Sequence, residues 1–386
     1  MNAPLIQSPV RSAMSSSRDA RLAARELAQQ LAHPDLGFVL FFCSAEYELD
    51  TLSVALEAAF PGIRMAGCTT AGELTPRGYD QGTVTALGFD KNLFAIEVAL
   101  VEELESFQLT NAQQLVDQLI SECRASKVAP IKGHSFALTL LDGLSSQEEQ
   151  VLVTLDSVLG SIPHFGGSAG DDIHLTGTHV YYEGAFRTQA AVVVLFNTPL
   201  DFEVFTTHHM RSLNEKLVVT QADPSTRTVY ELNAEPAALE YARLIGVAPE
   251  ALDFNTFALN PLAVRIGQDY FVRSIQKVNP DLSLTFYCAV ENGIVLTAMQ
   301  PEGMLNNLGQ RFEQIEATMG KPLITIGCDC FLRRLEAECH GRSAETSEFL
   351  VEHNVVGFNT YGEQYDGMHI NQTFTGVVIG QNQHDY

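Results

Sequence analysis

His164-Phe-Gly-Gly-Ser-Ala-Gly-Asp-Asp172 sets three glycines and a serine beside two adjacent aspartates. Glycine-rich turns let backbone N–H groups approach a phosphate, but Asp171 and Asp172 would repel one. The same pattern of glycine leading to Ala-Gly-acid occurs earlier, in Ala66-Gly-Cys-Thr-Thr-Ala-Gly-Glu-Leu74. Each copy follows a short apolar run and an amphipathic stretch. GFVLFFCS (37–44) precedes Leu49, Leu52, Leu56 and Phe60 at helical spacing, and HSFALTLLDG (134–143) precedes Val151, Leu155 and Val158. Ser146 and Glu149 read as a capping box opening the second helix. Phe38 corresponds to Phe136 and Gly67 to Gly166, so the copies keep register to within one residue. Two further apolar runs close each unit, which makes an internal duplication.

The fold class predicted is α/β. Its N-terminal domain holds two duplicated β-α-β-β-β units packed as sheets with outer helices about a pseudo-twofold axis, and a second α+β sensor-like domain follows. Glu73 and Asp171 then fall at equivalent places on a shared rim. Gly67, Cys68, Glu73, Gly166, Gly167 and Asp171 become candidate ligand-binding residues, the alternative being that these glycines only close tight turns. The second domain is placed at 210–386, because from Lys216 the texture changes to a turn at Asp223-Pro224-Ser225 and a helix from Pro236. The first spans 18–209, and residues 1–17 read as a disordered N-terminus.

Acidic residues outnumber basic ones 47 to 23, a net charge of −24 that argues against nucleic acid and an anionic membrane surface as partners. Seven scattered cysteines do not form a disulfide framework. No apolar run approaches the ~20 residues of a membrane helix, and the N-terminus lacks the hydrophobic region of a secretory signal. A cytoplasmic location is expected.

Taken with VVTQADPSTRTVYELNAEPAALEYAR, GCDCFLRRLE, GFNTYGEQ and MHINQTFTG in the second half, the paired turns resemble the FIST proteins, with FIST N and FIST C domains. The resemblance covers about residues 37–380. It implies a bacterial signal-transduction sensor that binds a small molecule or gas and informs a histidine kinase or cyclic-di-GMP enzyme. The THHM, CDCFLRRLE and YGEQYDGMHINQT segments are similar to the nitric-oxide-sensing haem branch, which makes haem the leading cofactor expectation.

A sensing haem needs a proximal imidazole and an apolar pocket. His208 and His209 stand at a strand end beside the domain junction, and the resemblance favours His209. His369, close to Asn371, is the rival ligand, and His384 reads as a tail residue. Arg265 and Arg273 suit an acidic group such as a haem propionate, since guanidinium matches carboxylate geometry. The resemblance also makes Glu363 and Asn371 ligand contacts. Cys328 and Cys330, two apart on one strand, point to one face and are candidates for zinc, although their spacing is not a standard zinc pattern. Catalysis is not expected. Cys68 is a possible nucleophile to which no base can be assigned, and the Cys328 and Cys330 pair is the other site a cysteine-dependent enzyme could use. Two alternatives stand beside the haem sensor: a haem-free module for amino-acid-like molecules and a cysteine-dependent enzyme.

Overall fold

A computed structural model describes residues 8–381. It contains three six-stranded sheets of one design and a fourth sheet of eight strands. The first sheet runs Val10–Ser15, Val84–Asp90, Leu36–Ser44, Arg64–Thr70 and then the hairpin Val180–Tyr182/Ala185–Arg187. Its central pair, Leu36–Ser44 and Arg64–Thr70, is parallel, as a strand-helix-strand connection requires. Helices Ala20–Leu31 and Leu49–Ala59 bury their apolar stripes on its outer face.

The second sheet repeats that order with Ala95–Val101, Ala191–Asn197, Ser135–Leu141, His164–Ser168 and the hairpin Glu363–Tyr365/Met368–Ile370. Helices Leu109–Ser126 and Glu148–Leu159 cover it. The third sheet repeats it again with Phe202–His208, Thr373–Ile379, Ile324–Cys330, Val355–Thr360 and the hairpin Glu73–Thr75/Gly78–Asp80. Helices Met304–Met319 and Ser343–Glu352 cover this one.

The α/β architecture and the two N-terminal copies are as the sequence predicts. The structure adds a third copy, so the units close about a pseudo-threefold axis where a twofold was expected. Each copy lends its hairpin to the sheet of another: the first to the third, the second to the first and the third to the second. Ala95–Val101, which reads as the last strand of the first unit, pairs with Ala191–Asn197 and so opens the second.

The inner faces of the three sheets share one core, to which Phe38 and Phe42, Phe136 and Phe196, and Ile326, Phe358 and Val377 contribute. Phe42 stacks on Phe358 and Phe136 on Phe196, with ring centroids 4.6 and 4.8 Å apart. Helices cover the other face, so the central strands are apolar on both sides and read as unbroken hydrophobic runs.

Val10–Ser15 corrects the expectation of disorder through residue 17. It pairs antiparallel with Val84–Asp90 and buries Val10 and Ala13, filling the place that Ala95–Val101 and Phe202–His208 fill in the other sheets. Residues 1–7 of that predicted tail lie outside the described residues.

After His208 the chain leaves the threefold core and enters the fourth sheet at Met210–Asp223. It returns at Met304–Met319. The inserted sheet runs Asp269–Arg273, Leu262–Ile266, Val295–Pro301, Met210–Asp223, Thr228–Leu232, Leu284–Phe286 and Ile275–Val278, with Glu235–Pro236 beside Thr228–Leu232. With helix Ala237–Ile245 it encloses its own core of Leu217, Val219, Tyr241 and Phe286.

Candidate functional site

The glycine turns meet one another. Gly170 N–H donates to the Thr69 carbonyl at 3.0 Å, Ala71 N–H to Asn359 at 2.9 Å and Ser168 N–H to Gly362 at 2.8 Å. The donors that a phosphate cradle needs are thus spent on neighbouring turns. A Cβ on Gly67, Gly166 or Gly357 would overlap the carbonyl oxygen of Phe41, Thr139 or Gly327 on the adjoining parallel strand. Gly167 packs on the side chains of Thr360 and Phe358. These glycines seat strands.

Glu73 and Glu363 are fully buried. Glu73 accepts from the hydroxyl of Thr70 and from the backbone N–H and hydroxyl of Thr83, at 3.0 and 2.7 Å. Glu363 accepts in the same way from Thr360 and from Thr373, at 3.0 and 2.9 Å. Burial pushes both carboxyls up to about 7 against the pull of those hydrogen bonds.

Asp171 does not stand where Glu73 stands. Strand pairing sets Glu73 opposite Phe358, Glu363 opposite Gly167 and Val180 opposite Cys68, so Val180 is the third equivalent. Asp171 instead accepts from the backbone N–H groups of Leu175, Thr176 and Gly177 and from the Tyr361 hydroxyl, closing its own loop. Cys68 lies in the central core, where burial pushes its thiol well up.

His209 is held on both sides. Its Nε2 lies 2.6 Å from Glu336 and its Nδ1 2.8 Å from Arg333, whose Nε donates to Asp329 at 2.6 Å. Arginine has only protons to give, so Nδ1 accepts and Nε2 carries the hydrogen. Both nitrogens are spent and no lone pair is left for iron. His208 is exposed. Cys328 and Cys330 are buried with thiols pushed well up by burial, and neither belongs to a cluster of metal-binding groups among the described residues.

Where the inserted sheet meets the core, several polar side chains are buried together. Arg227 of the inserted sheet donates to Glu148 at 2.8 Å and to Glu149 at 2.6 Å, both on the first turn of helix Glu148–Leu159. His369 Nδ1 sits 3.7 Å from Glu148, 3.6 Å from Glu149 and 3.7 Å from Cys288 Sγ. Asn371 accepts from the Ser274 N–H at 3.1 Å and lies 3.0 Å from Cys288 Sγ. Burial opposes charge on His369 and Glu149, but the ion pairing overrides it: the imidazole is raised and the Glu149 carboxyl lowered.

Glu149 is therefore no capping-box member. It accepts from Ala289 N–H at 2.8 Å across the seam, and the helix has no side-chain cap. Sequence reasoning passed over Glu148, Glu149, Arg227 and Cys288 as a group. The available signal was the adjacent acid pair opening a helix whose remaining inward face is apolar.

Beside this seam, a groove of about 570 Å³ crosses the inserted sheet, with Lys216, Arg265, Tyr270, Arg273, Ala289 and Glu291 among its walls. Among the described residues, Lys216, Arg265 and Arg273 make no ion pair. Arg265 donates to Gly267 and Gln268, and Arg273 donates to the His369 carbonyl at 3.3 Å. A smaller cleft of about 360 Å³ lies beside Glu57 and Arg64, but Arg64 is already paired with Glu97.

The groove brings together the predicted pair Arg265 and Arg273 but no described histidine. His369 keeps Nε2 without a hydrogen-bond partner, yet that atom lies against Gly362, which leaves no space for an iron and its ring. Neither His209 nor His369 therefore presents a nitrogen with room for a haem iron. His384 lies outside the described residues.

The chain matches the FIST N domain over residues 37–235 and the FIST C domain over 237–366. The first match alone exceeds half the chain, and the protein belongs to the FIST family, whose domains are associated with signal transduction and small-ligand sensing. The junction of the two matches falls inside the inserted sheet, at Glu235–Pro236. No curated protein matches the chain. No helix among the described residues is long and apolar enough to cross a membrane.

Proposed function

We propose that this protein is the ligand-binding component of a cytoplasmic bacterial signalling pathway. It takes a small anionic or zwitterionic molecule of the amino-acid class in the groove of the inserted sheet, and signals through a partner histidine kinase or cyclic-di-GMP enzyme with no catalysis of its own. One observation carries the reading. Lys216, Arg265 and Arg273 converge on the groove unpaired, in a chain with twice as many acids as bases. Several arginines elsewhere are matched, as in Arg64–Glu97, Arg227–Glu148 and Arg333–Asp329. Guanidinium groups suit a carboxylate, and Glu291 on the same wall suits an ammonium. Arg273 also holds the His369 carbonyl, so a ligand drawing on Arg273 acts on the seam.

The finer reading, haem as guest and nitric oxide as signal, uses the same arginines for propionates but finds no axial imidazole in the groove. One preparation tests both. The full chain is melted with amino acids and dicarboxylates, and separately mixed with haem for visible spectra before and after reduction and nitric oxide. A saturable rise in melting temperature, abolished in Arg273→Met, supports the groove receptor. An equal rise in the variant overturns it. A stoichiometric Soret band that shifts with nitric oxide replaces it with the haem sensor.

A further inference from the structure

We propose that Cys288, His369 and Glu149 form a binding site for a divalent metal ion of the zinc class, which clamps the inserted sheet to the threefold core. This assignment is independent of what occupies the groove. The three donor atoms lie within 4.8 Å of one another, and the Cys288 and His369 side chains are almost wholly buried. Each comes from a different element. Cys288 belongs to the inserted domain, His369 to the hairpin of the third repeat and Glu149 to the helix of the second.

The spacing is close to that of a tetrahedral coordination shell. Zinc binds thiolate sulfur at about 2.3 Å and imidazole nitrogen at about 2.0 Å, so the tetrahedral edge between them is about 3.5 Å. Cys288 Sγ and His369 Nδ1 are 3.7 Å apart. The corresponding nitrogen-to-oxygen edge is about 3.3 Å, and His369 Nδ1 and Glu149 Oε1 are 3.6 Å apart. A contraction of a few tenths of an ångström brings these two edges to the tetrahedral distances, and the third edge, from Cys288 Sγ to Glu149, is within 4.8 Å. One thiolate, one imidazole and one carboxylate form a mixed donor set suited to a borderline-soft ion such as zinc.

The surroundings are those of a supported ligand set. Ala289 N–H and Arg227 hold the Glu149 carboxylate from two sides, while the Cys288 thiol donates to Asn371 Oδ1 at 3.0 Å, a hydrogen bond that gives way when the sulfur binds metal. Gly362 seats the imidazole, since a Cβ there would collide with the ring. Binding balances in charge. The ion displaces the thiol proton of Cys288 and the Nδ1 proton of the His369 imidazolium, and two protons leave to solvent as two positive charges enter.

The test treats the full-length chain with a chelator, then titrates cobalt(II) and afterwards zinc(II), reading the near-ultraviolet thiolate-to-cobalt band. We expect one equivalent of cobalt to raise the band and zinc to abolish it. Cys288→Ser should lose the band, and His369→Gln and Glu149→Gln should weaken zinc binding more than about 100-fold. Cys339→Ser, which removes the exposed thiol, should change nothing. The other two clusters of metal-binding groups, His33 with Asp35 and Asp90 and Glu46 with Asp172 and His174, contain no thiol and would give no such band. If Cys288→Ser does not fold, the wild-type titration still decides. Absence of the band in the wild-type chain, its survival in Cys288→Ser, or its loss in Cys339→Ser overturns the site.

Discussion

Glu73 and Glu363 are one residue of a repeat seen twice: each accepts from a threonine three positions before it and from another ten positions after it. In the remaining copy the equivalents are Val180 for the glutamate and Ala169 and Ala190 for the two threonines, so that place is wholly apolar. A carboxyl with three donors and a valine with none both satisfy a buried position, and they differ in their response to protons.

That difference predicts a pH dependence of stability. With both folded carboxyls at about 7 and an ordinary value of 4.5, the folded chain holds protons that the unfolded chain has released between those limits. Stability from these groups is therefore greatest below about pH 4.5 and is lost as pH rises to about 7, at up to about 1.4 kcal/mol per pH unit for each group. Urea denaturation between pH 5 and 7.5 checks this. Glu73→Gln and Glu363→Gln should each remove one share of the slope, and single variants that retain the full wild-type slope contradict it.

Gly166→Ala should cost more than about 2 kcal/mol, because its Cβ overlaps the Thr139 carbonyl on a backbone that cannot withdraw. Gly177→Ala, with nothing nearer than 3.5 Å, should cost less than about 1 kcal/mol. Thermal melting of the two variants decides between a packing role for the turn glycines and a tolerant loop.

Arg227→Met removes the guanidinium from buried Glu148 and leaves it only the imidazole of His369 at 3.7 Å, and should destabilise the chain by about 3–5 kcal/mol. Arg227→Lys should recover only part of that loss, since a single ammonium cannot span Glu148 and Glu149 as the two guanidinium nitrogens do. Denaturant midpoints of the three proteins give the order.

His209→Ala separates structure from ligation. It removes a ring wedged between Glu336 and Arg333, so stability should fall by about 1–3 kcal/mol. Affinity for a molecule in the groove should stay within about twofold, a change of roughly 0.4 kcal/mol. Loss of that affinity in a variant of wild-type stability would falsify the structural reading of this histidine.

The first two repeats were legible because their glycine turns share the Ala-Gly-acid ending. The third was hidden because its turn reads Tyr361-Gly362-Glu363 and because 210–301 separates its first strand, Phe202–His208, from the rest. Its signature was nevertheless present, since Gly67, Thr70, Glu73 and Thr83 recur at a constant offset as Gly357, Thr360, Glu363 and Thr373. Asp171 was matched to Glu73 by the shared Ala-Gly before it, whereas the second copy carries extra residues there that move the hairpin to Val180. Arg265 and Arg273 were readable as cations on apolar strands. No periodicity links Glu149, Cys288 and His369, because their proximity arises only when the inserted sheet docks.

The reciprocal loan of hairpins has a consequence for how such a chain is put together. A lone repeat would carry an open sheet edge and a two-stranded arm with nothing of its own to grip, and three separate copies would satisfy one another in a ring. The fused protein is in this sense a covalent trimer, in which cutting at residue 236 between the two family matches yields no self-sufficient half.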